Sequence, residues 1–416
     1  MRGALGVVVL VAALAGIAVA VFFIVRRQRY LAAVRERGWT HDSNPALGTV
    51  LDLAAPPFGL GLAREVDELV TGTTPAGFSF RVFAWKYSGA GSGYSARVGV
   101  LELAGGFPEV FLARPGGQRA GIAPAAVSLT EVGSDELSVV ATDEAFARRV
   151  LQAAGGALLG FGGATGGLDL SLEGRHLVAV GAPKSPDALA GWLAALDAVA
   201  LAVAPLAGPA VPDNTGFGFH GHPDWGFVGS DLSVLDTYPV SEGGFGHEVT
   251  DLVRGFRDGI RLDAFVHEWK TTHTETTTDA QGNTSTRTVT DHHSEPVCGF
   301  VLPFAVPGLS VNGRRLGRKV AFESTAFNEA FTVRAEDAKF ASDVIHPRMM
   351  EWLLATDPVG WTVSGQVVVF EVGRHDTLVV DACEATLRGW LARIPGFVWE
   401  DLGLTPPPFA LGRVGS

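Results

Sequence analysis

The longest uninterrupted apolar run lies at the amino end. Ala4 to Val25, 22 residues, carries no charge, proline or side-chain amide. At about 1.5 Å per residue a helix of that length covers the ~30 Å hydrocarbon core of a bilayer. Arg26, Arg27 and Arg29 follow at once. A signal peptide would have a shorter run and a cleavage site of small residues, so the run predicts an uncleaved anchor. With Arg35 and Arg37 added, the carboxyl flank is more basic than the amino flank, which has only Arg2. Positive charge is retained inside, so the body is expected on the cytoplasmic side of the plasma membrane. The run has no internal charge, and nothing in it suggests transport.

Beyond the anchor the period changes. Phe78–Tyr87 and Ser95–Leu103 alternate and are rich in strand formers, and Arg261–Lys270 and Val297–Phe304 repeat the arrangement. A helix is expected over Asp143–Leu151 and again over Asp337–Ile345, each opened by an aspartate that suits a helix start. Two further strands follow in each half: Leu168–Leu172 with His176–Val180, and Trp361–Val363 with Val367–Val372. Pro186–Val203 and Ala382–Ile394 read as closing helices. Strands gathered before helices indicate an α+β class with mainly antiparallel sheets.

The two halves are one unit written twice. Arg64–Gly72 (REVDELVTG) matches His247–Gly255 (HEVTDLVRG), Leu137–Phe146 matches Phe331–Phe340, and Gly191-Trp-Leu-Ala matches Gly389-Trp-Leu-Ala. Trp39 and Trp225 open the two copies, and Trp85-Lys86 matches Trp269-Lys270. The chain therefore divides into an anchor with its basic flank (1–37), a first α+β repeat (38–205), a Pro/Gly linker (206–223), a second repeat (224–403) and a tail (404–416).

Composition narrows the function. The net charge is −12 and the first 40 residues contribute +5 (six Arg against Glu36), which leaves −17 on the body. Such a body repels phosphate backbones, which argues against nucleic-acid binding. Cys298 and Cys383 are too few for a disulfide scaffold or a four-cysteine zinc site, and both read as small buried residues unless the body meets an oxidising compartment.

The second copy holds Phe322-Glu-Ser-Thr-Ala-Phe-Asn328 and, after a strand and a short helix, His346-Pro-Arg-Met-Met-Glu-Trp-Leu-Leu354. This segment resembles a family of uncharacterised actinobacterial proteins with one amino-terminal transmembrane helix. Pro56–Gly59 (PPFG) and the start at Gly38-Trp-Thr are similar to that family's opening. The resemblance implies a membrane-attached protein of unknown function and supplies no catalytic residues. The chain departs from simpler members in carrying two copies. Read as residues, the string is a packing helix: Pro347 suits a first turn, and Arg348 and Glu351 are spaced for a helical pair. A site on His346 and Arg348 is the competing reading.

Candidate chemistry is sparse. Gly216-Phe-Gly-Phe-His-Gly221 has dinucleotide-loop spacing but lies among Pro, Asp and Asn, with no strand before it or helix after it. His247 and Asp251 share a strand face about 13 Å apart, too far for one metal. His220, His222 and Asp224 form a loose cluster in the linker, and Asn283-Thr-Ser has sequon spacing only. The most unusual stretch is Thr271–His293, polar, alternating and Thr-rich, with a Gln-Gly-Asn turn at 281–283. It predicts a protruding two-stranded arm. A turn centred at Gly282 sets Thr271 opposite His293 and His273 opposite Asp291, so that His273, Asp291 and His293 share a face as candidate metal ligands. No cofactor is indicated. Without a nucleophile–base set or phosphate loop, the expectation is a non-enzymatic scaffold or binding module with an unknown protein partner. The alternatives are an enzyme or small-ligand binder with a pocket between the repeats, and a metal sensor on the arm.

Overall fold

The computed structural model describes residues 2–53, 57–59, 61–89, 92–113, 130–133, 136–141, 143–210, 222, 224–278 and 284–411. The Gly216–Gly221 loop, His220 and the 281–283 turn lie outside them. The chain is α+β, with two antiparallel sheets of seven strands each. It separates into two compact units: Met1–Leu60, Glu65–Lys86 and Ser95–Gly221 form one, and Gly61–Arg64, Tyr87–Tyr94 and His222–Ser416 the other.

The first sheet contains β1 (Thr40–Asp42), β2 (Leu62–Thr73), β3 (Ser79–Gly89), β4 (Ser92–Ala113), β5 (Thr130–Gly133), β6 (Ser138–Ala141) and β7 (Asp169–Val180). Its order is β1-β2-β3-β4-β6-β5, with β7 beside β4. The second contains β8 (Trp225–Gly229), β9 (Phe245–Arg257), β10 (Ile260–Thr278), β11 (Thr284–Val311), β12 (Arg318–Val320), β13 (Val333–Ala335) and β14 (Trp361–Phe370). Its order, β8-β9-β10-β11-β13-β12 with β14 beside β11, repeats the first strand for strand.

The irregularities repeat too, which chance similarity of apolar strings would not produce. Glu68 and Asp251, equivalent in the duplicated strings, both take positive φ (51° and 53°), a conformation costly for residues with a Cβ. Gly174 faces Phe107 at a register break in β7, and Gly365 faces Val306 at the same break in β14. Each is the left-handed residue of its strand (φ 52° and 61°). Such a bulge bends a strand without ending it. The two strands expected on either side of each glycine are therefore one: β7 and β14 run through. A Cβ at Gly72 would come within 2.5 Å of Trp39, and one at Gly255 within 2.9 Å of Trp225. In both copies the opening tryptophan is seated on a glycine that leaves it room.

The helices depart further from expectation. α1 (Arg2–Glu36) is a single 35-residue helix. Its end joins the first unit directly: Val34 is buried, Tyr30 packs on the same core, and Arg27 Nη1 lies 3.2 Å from Glu68. α2 (Glu144–Thr165) starts where Asp143 accepts from Phe146 N–H, as expected, but continues far past Leu151 to a left-handed Gly166. α3 (Pro186–Val203) has the expected bounds. Among the described residues, Pro186–Leu206 is long and apolar enough to cross a membrane. Its Leu189, Trp192, Leu193, Leu196 and Val203 nevertheless lie in the first unit's core. The second unit breaks the helical layer into α4 (Thr325–Ala330), α5 (Ala338–Val344), α6 (Pro347–Thr356), α7 (Thr377–Leu391), α8 (Gly396–Asp401) and α9 (Pro408–Leu411). α7 begins five residues before the expected Ala382, because Asp376 caps it by accepting from Leu378 N–H.

Candidate functional site

Beyond the last pairing of β9 with β10, at Lys270, the described residues of β10 up to Thr278 pair with β11 alone. From Thr271↔Asp291 to Thr278↔Thr284 they form eight residue pairs, an arm about 26 Å long at ~3.3 Å per residue. The expected arm exists, but its register is displaced: Thr271 faces Asp291 and His293 faces Trp269. An even displacement leaves each side chain on its expected face, since the strand period is two.

The register sorts the arm into two chemically different faces. Thr272, Thr274 and Thr276 stand opposite Thr290, Thr288 and Thr286, and all six are exposed. Thr–Thr pairs support a strand pair without a buried face. The other face is ionic. His273 Nδ1 lies 2.7 Å from Asp291 and its Nε2 3.4 Å from Glu275, while Arg287 Nε donates to Glu275 at 2.8 Å. The hydrogen bonds to Asp291 and Glu275 raise the His273 pKa.

These contacts decide the metal candidates. The structure joins His273 and Asp291 but directs His293 elsewhere: its Nε2 lies 2.7 Å from Thr271 Oγ1 and its ring stacks on Trp269 at 5.1 Å. Among the described residues no group of three His, Cys, Asp or Glu is placed to hold a metal ion. His222, from the linker cluster, stacks on Trp225 at 3.8 Å and lies 2.9 Å from Asp381. His247 and Asp251 do not meet. Asp251 pairs with buried His375 at 2.9 Å, and His247 Nδ1 lies 2.9 Å from His267 Nε2. Arg348 and Glu351 form no ion pair. Cys298 and Cys383 are buried free thiols. They sit side by side, and their mutual hydrogen bond together with burial pushes the Cys298 pKa up.

At the base of the arm His247, His267, Trp269 and His293 form one stack, with successive centroids 5.2, 4.8 and 5.1 Å apart. Alternation along β10 places 267 and 269 on one face, and the neighbouring strands add the outer rings. His267 is wholly buried. Burial and the adjacent His247 lower its pKa, and Glu295 opposes them. The sign follows. A histidine held below its ordinary value of about 6.5 binds fewer protons folded than unfolded, so the stability it contributes is lost as pH falls through that value. The wild-type chain is expected to lose more stability than His267→Gln between pH 7.5 and 5.5, measured by urea unfolding at both. Parallel pH slopes would remove the stack from the account.

A second cluster, invisible in the sequence, lines a 250 Å³ pocket on the first sheet. Arg81 Nη2 donates to Asp52 at 2.6 Å, and His176 Nε2 lies 3.3 Å from Asp52, beside Glu102. Burial lowers the His176 pKa, which favours the neutral ring, against the opposing pull of Asp52. It can accept a proton, but among the described residues no hydroxyl is hydrogen-bonded to it. The pairing of Glu102 with His176 across β4 and β7 creates this cluster from residues far apart in the chain.

No family model matches the chain, and no curated protein matches it. Among solved structures, the mycobacterial trehalose monomycolate transport factor A, TtfA, aligns with 45% of this chain and 97% of its own at 15% identity and a TM-score of 0.34. A likeness that loose assigns this chain neither a fold family nor an activity.

Proposed function

We propose that the chain is a membrane-attached, non-enzymatic binding module whose arm contacts a protein partner. One observation carries this reading. The arm extends the second sheet by eight pairs that bury almost nothing, yet side-chain contacts join His273 to Asp291 and Glu275, and Arg287 to Glu275, across its ionic face. A ribbon that adds no core contributes little to stability, and contact with a partner is the role left to it. The tether is α1: Val19, Val21, Phe22, Phe23, Ile24 and Val25 are all exposed, as lipid-facing side chains would be. Because α1 ends in the first unit's core, the body is held to the membrane without a flexible linker.

Three experiments test the parts. With residues 272–290 replaced by a two-residue Asn-Gly turn, the unfolding free energy should change by about 0.5 kcal/mol or less. Photo-crosslinkers at Thr274 and at Arg287 of the otherwise unaltered chain should each form a discrete adduct in cells. If neither does, the arm is not the contact. For topology, a carboxy-terminal tag should be protease-protected in intact spheroplasts; cleavage would place the body outside and refute the orientation drawn from the arginine flank.

A further inference from the structure

The segment carrying the His-Pro-Arg string also borders a cavity. α6 begins at Pro347, and residues of the turn after α7, of α8 and of α9 lie beside its start. They line a half-open cavity of 510 Å³ within the second unit. That volume lies in the range of small-molecule sites, about 300–1,000 Å³. Its wall is apolar, formed by Ile394, Pro395, Trp399, Pro406 and Ala410. Its polar groups are Arg348, Arg393 and His346, and among the described residues no acidic side chain lines it.

These groups are not equivalent. Arg393 is braced: Nη1 donates to Gly389 O at 2.8 Å, and the guanidinium lies 4.6 Å from the Trp352 ring centroid. His346 is fixed with Nε2 3.1 Å from Arg393 O. Arg348 is exposed at the rim and has not taken Glu351 as a partner. On a body of strong negative charge, an apolar cavity with a cationic rim is a local exception. It complements a molecule that is apolar along its length and anionic at one end. We infer that this cavity binds a single-chain amphiphile with a carboxylate head, a long-chain fatty acid, its chain against Pro395, Pro406 and Ala410 and its head at Arg348. Arginine is suited to that head because its fork matches a carboxylate in two parallel hydrogen bonds.

The test uses the full chain in nanodiscs of zwitterionic lipid and a sixteen-carbon fatty acid bearing a photoreactive diazirine, with adducts located by mass spectrometry. Adducts are expected in peptides from the α6 start and from residues 392–410. The methyl ester of the same probe, lacking the charge, and the Arg348→Gln variant should each reduce them about tenfold, the worth of one charge-assisted contact. Ala410→Trp, which fills the cavity and leaves the rim arginine in place, should abolish them. Labelling confined to α1, or labelling of 392–410 that neither the ester nor either variant diminishes, would overturn the inference.

Discussion

Replacing Asp263 by alanine is expected to cost the second unit about 3 kcal/mol, the lower part of the range for breaking a buried ion pair. The carboxylate is fully buried on β10. Arg254 Nε donates to it at 2.6 Å from the facing position on β9, Arg261 Nε lies 2.9 Å away, and Tyr238 O–H donates at 2.9 Å. Burial and this carboxylate push the Tyr238 pKa up, so the phenol stays a donor across the working pH range. Removing Asp263 strands a buried phenol and two guanidinium groups. Both arginines remain a third or more exposed and regain water, which holds the cost to the low end. The check is urea unfolding of wild type and variant at pH 7. A loss under 1 kcal/mol would mean that water already serves the arginines. Arg254→Ala should cost less, because Tyr238 still donates to the acid and the Arg261 charge remains beside it.

Trp192→Ala is expected to cost about 3–5 kcal/mol, the range for truncating a large buried aromatic side chain. Trp192 is on the buried face of α3, its ring edge-on to Phe161 of α2 at 5.6 Å. On the sheet side it lies over Gly99 of β4, where a Cβ would come within 2.6 Å of it. A site shaped around one indole cannot close when the indole is removed, so the cavity term adds to the lost transfer energy. Asp263 and Trp192 belong to different compact units. If these unfold separately, each variant should move only one of two transitions in a denaturant titration. Both moving together in both variants would show one cooperative body.

The duplication was legible in the chain because each copy keeps short strings tied to backbone demands. Gly72 and Gly255 must leave room for a tryptophan, and Asp143 and Asp337 must cap a helix. Such requirements are local, so residue type records them. The alternation of Phe78–Tyr87 and Arg261–Lys270 likewise reports a strand with its own period. Strand continuity was less legible. Gly174 and Gly365 look like breaks, and only the partner strand shows that the chain passes through a bulge and resumes.

The sites followed the same division. Thr271–His293 announced an arm by composition, and its face assignment survived a displaced register because the displacement was even. Which side chains meet was not available from spacing. His293 turned to Trp269 and Thr271, leaving His273 with Asp291, and that choice depends on stacking and reach across a twisted ladder. The Asp52–His176–Glu102 pocket, the His247–His267 contact and the Arg348–Arg393 cavity all join residues from separate elements. By itself the sequence determined the apolar amino-terminal run, the twofold plan and the strand and helix periods, because these arise from neighbours along the chain. Tertiary structure alone decided which polar groups converge and which are buried, because that depends on register and on how helices close over sheets.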